Sequence, residues 1–242
     1  VLDSVAPLLA ATERVVIATG ILNLWMHEPA EVAGGYADLT GRHGERFLLG
    51  IGCSHAPLID SKEPGRYRKP LAATRAYLDG LDAAEQPVPV QNRVLAALGP
   101  KMLQLSATRA RGAHPYLTTP DHTRYAREQL GVGPLLVPEQ TVLITDDGDA
   151  AREIGVPWLR SYLALPNYAN NMLRMGFTPE DVSTVSDRLF DALIAWGDEE
   201  TVLRRVNEHL QAGADHVCVQ VLTADPREFP HEQWRRLAAA LR

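Results

Sequence analysis

The sequence predicts an α/β fold built on a parallel sheet, because strand-like and helix-like segments alternate along the whole chain. Each strand-like segment is a short apolar run, and each is followed by a segment whose apolar residues have helical spacing. The length of 242 residues suits one large α/β domain. Because neither a change in composition nor an internal repeat marks a boundary, we predict a single domain over residues 1–242.

The predicted strands are six in number. They are Val15–Ala18, Phe47–Gly52, Arg93–Leu98, Ala113–Leu117, Gln140–Thr145 and His216–Leu222.

The predicted helices are assigned from apolar spacing and from their end signals. Proline suits the first turn of a helix because its missing N–H has no partner there, and Gly99-Pro100 starts a helix in this way. Asp198 is the expected N-cap and Gly213 the expected C-cap of another helix. The predicted helices are 2–12, Glu31–Gly41, Leu71–Leu81, Lys101–Arg109, Asp121–Leu130, Ala150–Ile154, 157–196, Asp198–Ala212 and Phe229–Leu241, and Ala56–Pro70 is a predicted polar loop.

A closed (β/α)8 TIM barrel needs two more strands than these six, and the chain begins in a helix. The simplest interpretation is a barrel whose first two βα units are missing from this sequence, with a helical insertion around 157–196. A doubly wound sheet of six strands is the alternative. No GxGxxG follows any strand, which counts against the dinucleotide-binding form of that fold.

Composition excludes some classes of partner. The net charge is −6 and no Lys/Arg-rich run stands out, so neither nucleic acid nor an anionic membrane is the expected partner. No apolar stretch has the length of a transmembrane helix. The two cysteines, Cys53 and Cys218, lie far apart in apolar runs, which favours a reducing cytoplasm over a disulfide framework.

The stretch Arg46–His55, with the letters RFLLGIGCSH, is the strongest candidate for part of a site. It is a buried-strand pattern that ends in glycines and then in polar side chains, where α/β proteins bind ligands. The other loops after strands also hold glycines, hydroxyls and backbone donors. They hold no paired carboxylates and no metal-ligand pattern, so we predict no metal site. This set suits a large flat cofactor that supplies the chemistry.

Several of these residues have both a functional and a purely structural interpretation. His55 could donate a proton or hold a cofactor oxygen, or it could be a structural histidine. Cys53 could contact a cofactor or be a small buried thiol. Gly99-Pro100 could bind a phosphate at a helix start or be a plain turn. Arg66 and its basic neighbours could form a lid or a solvated loop, whereas His114 is interpreted as a surface or packing residue.

Several segments, taken in order, resemble the bacterial luciferase-like monooxygenase superfamily. RFLLGIGCSH resembles its GGRF-x-LGLG-x-G strand, and RVVIATGI, Arg14–Ile21, resembles the strand before it. Leu95–Thr123 resembles its GP-x-x-L-x-L-A-A-x-x-A-D-G segment, and Leu203–Val221 resembles its closing helix and strand. The segments ALGPKM and AHPYLTTP are most similar to the branch of this superfamily that uses the deazaflavin coenzyme F420.

The resemblance implies a luciferase-like (β/α)8 barrel that binds a deazaflavin or flavin at the carboxyl ends of its strands, with hydride transfer at C5 of the deazaflavin ring. It implies a non-prolyl cis peptide at Gly20-Ile21 behind the ring. It maps further cofactor contacts to Gly52, Cys53 and His55, and maps the phosphate site to Leu98-Gly99-Pro100 with Thr118 nearby. His55, the predicted catalytic residue, stands where members with a known acidic partner carry Glu.

Three hypotheses follow. The first is an F420-dependent oxidoreductase acting on a small organic substrate, and the second is an FMN-dependent monooxygenase on the same fold. The third, from another class, is a non-catalytic barrel that serves as a binding or partner subunit. The family's habit of pairing implies a homodimer.

Overall fold

The computed structural model describes residues 2–241, which form two compact units. Unit 1 comprises residues 2–114 and Gln129–Leu135, and unit 2 comprises Pro115–Glu128 and residues 136–241. The assignment of residues 1–242 to a single domain stays a prediction.

Unit 1 contains a parallel sheet whose strands follow one another in chain order. The strands are β1 Ile17–Ala18, β2 Leu22–Asn23, β3 Phe47–Gly52, β4 Arg93–Leu95, β5 Gly112–Ala113 and, at the unit boundary, β6 Leu135–Leu136. Their order is β1-β3-β4-β5-β6, with β2 also paired to β3. Because each strand adds beyond the previous one with no reversal, the sheet is singly wound as in a (β/α) barrel. The doubly wound alternative is therefore wrong for this unit.

The helices of unit 1 are α1 Val5–Ala10, α2 Pro29–His43, α3 Ala56–Asp60, α4 Pro70–Asp82 and α5 Pro100–Arg109. Of these, α1, α2, α4 and α5 contribute buried apolar residues to the core cluster that includes β3. Val32 of α2, Leu78 of α4, and Leu49 and Ile51 of β3 are fully buried in one core cluster. The short helix α3 corrects the prediction that Ala56–Pro70 is loop throughout. Pro57 stands in the first turn of α3, so its missing N–H costs no helical hydrogen bond.

Unit 2 contains a three-stranded parallel sheet in the order β8-β7-β9. Its strands are β7 Glu139–Ile144, β8 Ile194–Gly197 and β9 Cys218–Val221. Its helices are α6 Pro120–Leu130, whose last two residues belong to unit 1, α7 Gly148–Leu163, α8 Pro166–Arg174, α9 Pro179–Thr184, α10 Asp187–Leu193, α11 Glu199–Gln211 and α12 His231–Ala240. Val142 of β7, Val202 of α11 and Leu237 of α12 meet in one core cluster.

Two predictions about unit 2 and its border are corrected. The segment 157–196 is not helical throughout, because Ile194–Gly197 pairs in parallel with β7 and forms β8. The apolar run at the end of α10 continues into that strand, and its spacing alone did not reveal the change. The strand predicted at Ala113–Leu117 is only Gly112–Ala113, because Pro115 interrupts it and Leu117 adopts a φ of 55°.

The amino end of α11 agrees with the sequence prediction, whereas its C-cap is Ala212, one residue before the expected Gly213. The Asp198 side chain accepts a hydrogen bond from the Thr201 N–H at 2.9 Å, as an N-cap does. The helix ends at Gln211, and Gly213 follows with a φ of 105°. Among residues 2–241, no helix combines the length and hydropathy needed to span a bilayer.

Candidate functional site

The carboxyl end of the unit 1 sheet is built from two rows of residues that run across four strands. The inner row consists of Leu22, Ile51, Leu95 and Ala113, which strand pairing places side by side. All four are fully or almost fully buried. The next row, here called the carboxyl row, consists of Asn23, Gly52, Ala96 and His114. Backbone bonds fix it, since Ala96 N donates to Ile51 O and His114 N donates to Leu95 O, both at 2.9 Å. Because successive side chains in a strand alternate, the carboxyl row faces away from the inner row and its core.

The segment Thr19–Ile21 lies so close to β3 that two positions require glycine. A Cβ on Gly50 would lie 1.8 Å from the Thr19 carbonyl oxygen, and a Cβ on Gly52 would lie 2.8 Å from Ile21 Cδ1. Thr19 Oγ1 also donates to Gly50 O and accepts from Gly50 N, each at 2.8 Å. The Gly20–Ile21 peptide bond is cis, as the resemblance implied. The two glycines thus make room for the neighbouring segment of the chain.

Cys53, at the end of β3, lies between two aromatic side chains. Its carbonyl accepts from Trp25 Nε1 at 2.8 Å, and its Sγ is 3.6 Å from the Tyr67 hydroxyl. Tyr67 also donates to Ser54 O at 3.3 Å, and its ring lies 5.7 Å from that of Trp25. Arg66 Nη2 donates to Trp25 O at 2.6 Å, so this part of the basic loop is fastened to the loop after β2.

The structure separates the two histidines that follow strands of unit 1. His55 is the N-cap of α3, and its carbonyl accepts from Leu58 N and Ile59 N at 3.1 Å. His114 belongs to the carboxyl row, and its Nε2 lies 3.6 Å from where a Cβ on Gly20 would stand. The sequence analysis placed His114 inside a longer strand and missed this position. The available signal was a histidine directly after a glycine-containing strand.

The turn Leu98-Gly99-Pro100 follows β4 and opens α5. Gly99 is the N-cap, with its carbonyl accepting from Met102 N and Leu103 N at 3.1 and 3.0 Å, and Pro100 occupies the first turn. The amino end of α5 therefore presents a positive helix terminus, which suits an anion.

Thr118, predicted near this turn, lies in unit 2. It is buried, and its hydroxyl has no hydrogen-bond partner among the described residues. Its pairing with the turn stays a prediction.

Unit 2 holds a buried carboxyl group that the sequence analysis missed. Glu139, the first residue of β7, is 4% exposed. Its carboxyl oxygens accept from Thr141 Oγ1 at 2.6 Å and from Leu117 N at 3.3 Å. Burial raises the pKa of Glu139 to about 7, against the opposing effect of these hydrogen bonds. The sequence feature that could have revealed it is an acidic residue just before a strand that continues into the apolar run Val142–Ile144.

A buried histidine of unit 2 is held in one tautomer. Gln140 Nε2 donates to Thr141 O and Leu193 O, so its Oε1 must accept from His209 Nε2, 3.0 Å away. His209 Nδ1 is then left to accept from the Thr123 hydroxyl at 2.7 Å. Burial, followed by the nearby Arg205 charge, lowers the pKa of His209 to about 4. This imidazole is neutral and structural.

Comparisons with known proteins place these features among enzymes of one fold. The profile of the family described as luciferase-like monooxygenase matches residues 4–216. A Mycobacterium tuberculosis protein, named as a coenzyme F420-dependent oxidoreductase, is 25% identical over 95% of this chain and 84% of its own.

Two solved structures share the fold. An F420-dependent secondary alcohol dehydrogenase, solved with an F420-acetone adduct, has a TM-score of 0.71 and 15% identity, covering 98% of this chain and 83% of its own. The FMN-bound oxygenating constituent of 3,6-diketocamphane monooxygenase, encoded by a Pseudomonas putida plasmid, has a TM-score of 0.63 and 17% identity, covering 96% and 80%. The predicted luciferase-like fold class is confirmed.

Proposed function

Because the chain belongs to the luciferase-like monooxygenase family, we propose that it is an oxidoreductase that uses coenzyme F420. It passes a hydride between this deazaflavin and a small organic substrate. The observation that carries the proposal is the M. tuberculosis relative, whose name specifies F420 and whose similarity extends over 95% of this chain. The region of similarity is long enough to take in nearly all of the candidate site.

The carboxyl row of unit 1 fits a flat ring. Ala96 carries only a methyl group, and the space at Gly52 is taken by the Ile21 side chain, so in this proposal a planar group rests on Ile21 and Ala96. Bound F420 supplies the hydride chemistry at C5 of its ring. In this proposal Gly20 and Ile21 shape the ring site, and Gly52 keeps Ile21 in place against β3.

Two polar side chains border the proposed ring site. Cys53 is fixed by Trp25 and Tyr67, and His55 follows it at the start of α3. We assign both to cofactor binding, with His55 as the candidate proton donor. We assign the cofactor phosphate to Leu98, Gly99 and Pro100, where the positive end of α5 favours an anion.

The test is a fluorescence titration of the purified protein with F420 and, separately, with FMN. We expect saturable binding of F420 and weaker binding of FMN. Cys53→Ala should weaken F420 binding about threefold through lost packing and polar contact. Cys218→Ala is the matched control, since both cysteines are free and partly buried, and it should leave F420 affinity unchanged. Binding of neither cofactor would overturn the proposal and favour a non-catalytic barrel.

FMN is the second candidate cofactor, and the observation that favours it is the FMN complex among the structural neighbours. On this hypothesis the chain is a monooxygenase that presents reduced flavin to oxygen. The same titration separates the two, because tight FMN binding without F420 binding would replace the first proposal by the second.

We also propose that the chain works as a cytoplasmic homodimer. The free thiols of Cys53 and Cys218 suit a reducing compartment. Light scattering coupled to gel filtration measures the assembly directly, and a monomer at micromolar concentration would overturn the dimer.

A further inference from the structure

We propose that His114 contacts the ring of the bound deazaflavin and forms a hydrogen bond to it through Nε2. The inference rests on the proposed F420 function and adds a residue to that site. It begins from backbone register, because His114 N donates to Leu95 O and so fixes His114 one residue beyond the last paired position of β5. That register makes His114 the only histidine of the carboxyl row.

The small neighbours of His114 let its imidazole extend across the row. The two positions between it and β2 are Ala96 and Gly52, so no large side chain of the row itself stands in the way. The imidazole reaches Gly20, where His114 Nε2 is 3.6 Å from the Cβ position. Apart from Thr19 and Ile21, the chain neighbours of Gly20, His114 Nε2 is the one atom of the described residues within 4 Å of that position, so the imidazole lies directly beside Gly20.

The chemistry of the imidazole matches a flavin-type ring. Neutral imidazole can donate from one ring nitrogen and accept at the other, and a deazaflavin ring offers both carbonyl acceptors and an N–H donor along one edge. His55, the candidate proton donor at the border of the ring site, is the N-cap of α3 and lies outside the carboxyl row. His114 is therefore the imidazole that unit 1 aligns with Gly20 and the small residues of this row.

The first measurement is the affinity for F420 of His114→Ala and His114→Gln. Loss of one hydrogen bond should weaken binding about fivefold in the alanine variant. Glutamine keeps a side-chain donor and acceptor and should restore affinity to within about twofold of the wild type. The absorbance of bound F420 should also shift in the alanine variant, which a purely structural role would not cause. His43→Gln, in the last turn of α2, is the control and should change neither value.

The second measurement uses the wild-type protein and is independent of whether a variant folds. Addition of F420 should move the imidazole NMR resonances of His114, assigned with His114→Gln, and leave those of His43 in place. If F420 binds but neither the resonances nor the variant affinities change, the His114 contact is wrong and the proposed function stands. If the wild type binds no F420, the proposed function is wrong and the His114 contact with it.

Discussion

Replacing Glu139 by Gln should make the stability of the protein fall with acidification between pH 6.5 and 4.5, a range in which the wild type should be nearly insensitive to pH. The reason is that two buried groups of unit 2 act in opposite directions. The pKa of Glu139 is raised to about 7 and the pKa of His209 is lowered to about 4, each chiefly by burial.

The two groups change the free energy of unfolding in opposite directions as the pH rises. The pKa of Glu139 is higher in the folded state than the unfolded value of 4.5, so between these pKa values the unfolded chain holds fewer protons. The contribution of Glu139 to the free energy of unfolding is therefore fully present below pH 4.5 and is lost as the pH rises towards 7. For His209, whose folded pKa lies below the unfolded 6.5, stability is present above pH 6.5 and is lost as pH falls towards 4. Each shift corresponds to about 3 kcal/mol at most, or about 1.4 kcal/mol per pH unit within its window.

The two contributions therefore cancel in the wild type between pH 4.5 and 6.5. Glutamine copies the shape of the neutral carboxyl group, since its oxygen can accept from Leu117 N and its amide can donate to Thr141 Oγ1. It removes the Glu139 contribution and leaves that of His209. The variant should be about 2 to 3 kcal/mol more stable than the wild type at pH 8, and the difference should shrink towards pH 4.5.

The assay is urea unfolding followed by tryptophan fluorescence and circular dichroism, at half-unit pH steps and constant ionic strength. Carboxylates whose pKa values are lowered by hydrogen bonds, among them Asp181, Asp198, Glu199 and Asp225, act mainly below pH 4.5 and do not disturb this window. The reasoning would be refuted if the free energy of unfolding of the variant were as independent of pH as that of the wild type. It would also be refuted if the wild type showed the steep pH dependence expected for the variant.

Two further predictions concern backbone contacts. Gly50→Ala should lower the free energy of unfolding by about 2 kcal/mol or more, because its methyl group would lie 1.8 Å from the rigid Thr19 carbonyl oxygen. The control Gly34→Ala in α2, where the Cβ position is open, should instead raise it by about 0.5 to 1 kcal/mol. Equal melting temperatures for the two variants would contradict this prediction. Asp147→Ala should cost about 1 kcal/mol, because the Asp147 side chain accepts from two backbone N–H groups at the start of α7; Asp147→Asn should keep most of the stability in thermal denaturation, and a full loss in that variant would argue against capping.

Local sequence patterns were sufficient for the alternation of strands and helices and for most helices, whereas they left the strand order open and did not reveal β2 or β6. The caps and apolar spacing of α11 and the glycine-ended run of β3 are signals that adjacent residues carry by themselves. Local patterns did not reveal β8, because Ile194 and Ala195 continue the apolar pattern of α10 without interruption. Pairing with β7, a contact made 53 residues away in sequence, decides that those residues are extended.

The sequence by itself determined that glycines end β3 beside a candidate site, and the resemblance located the cis peptide at Gly20–Ile21. Only the tertiary structure decided what the glycines are for, since the Thr19 carbonyl and the Ile21 side chain fill the space at Gly50 and Gly52. It also decided which histidine faces Gly20. The sequence pattern places His55 after a strand and His114 inside one, whereas register across β3, β4 and β5 brings His114 into the carboxyl row, because hydrogen-bonded pairing fixes distances that sequence separation does not.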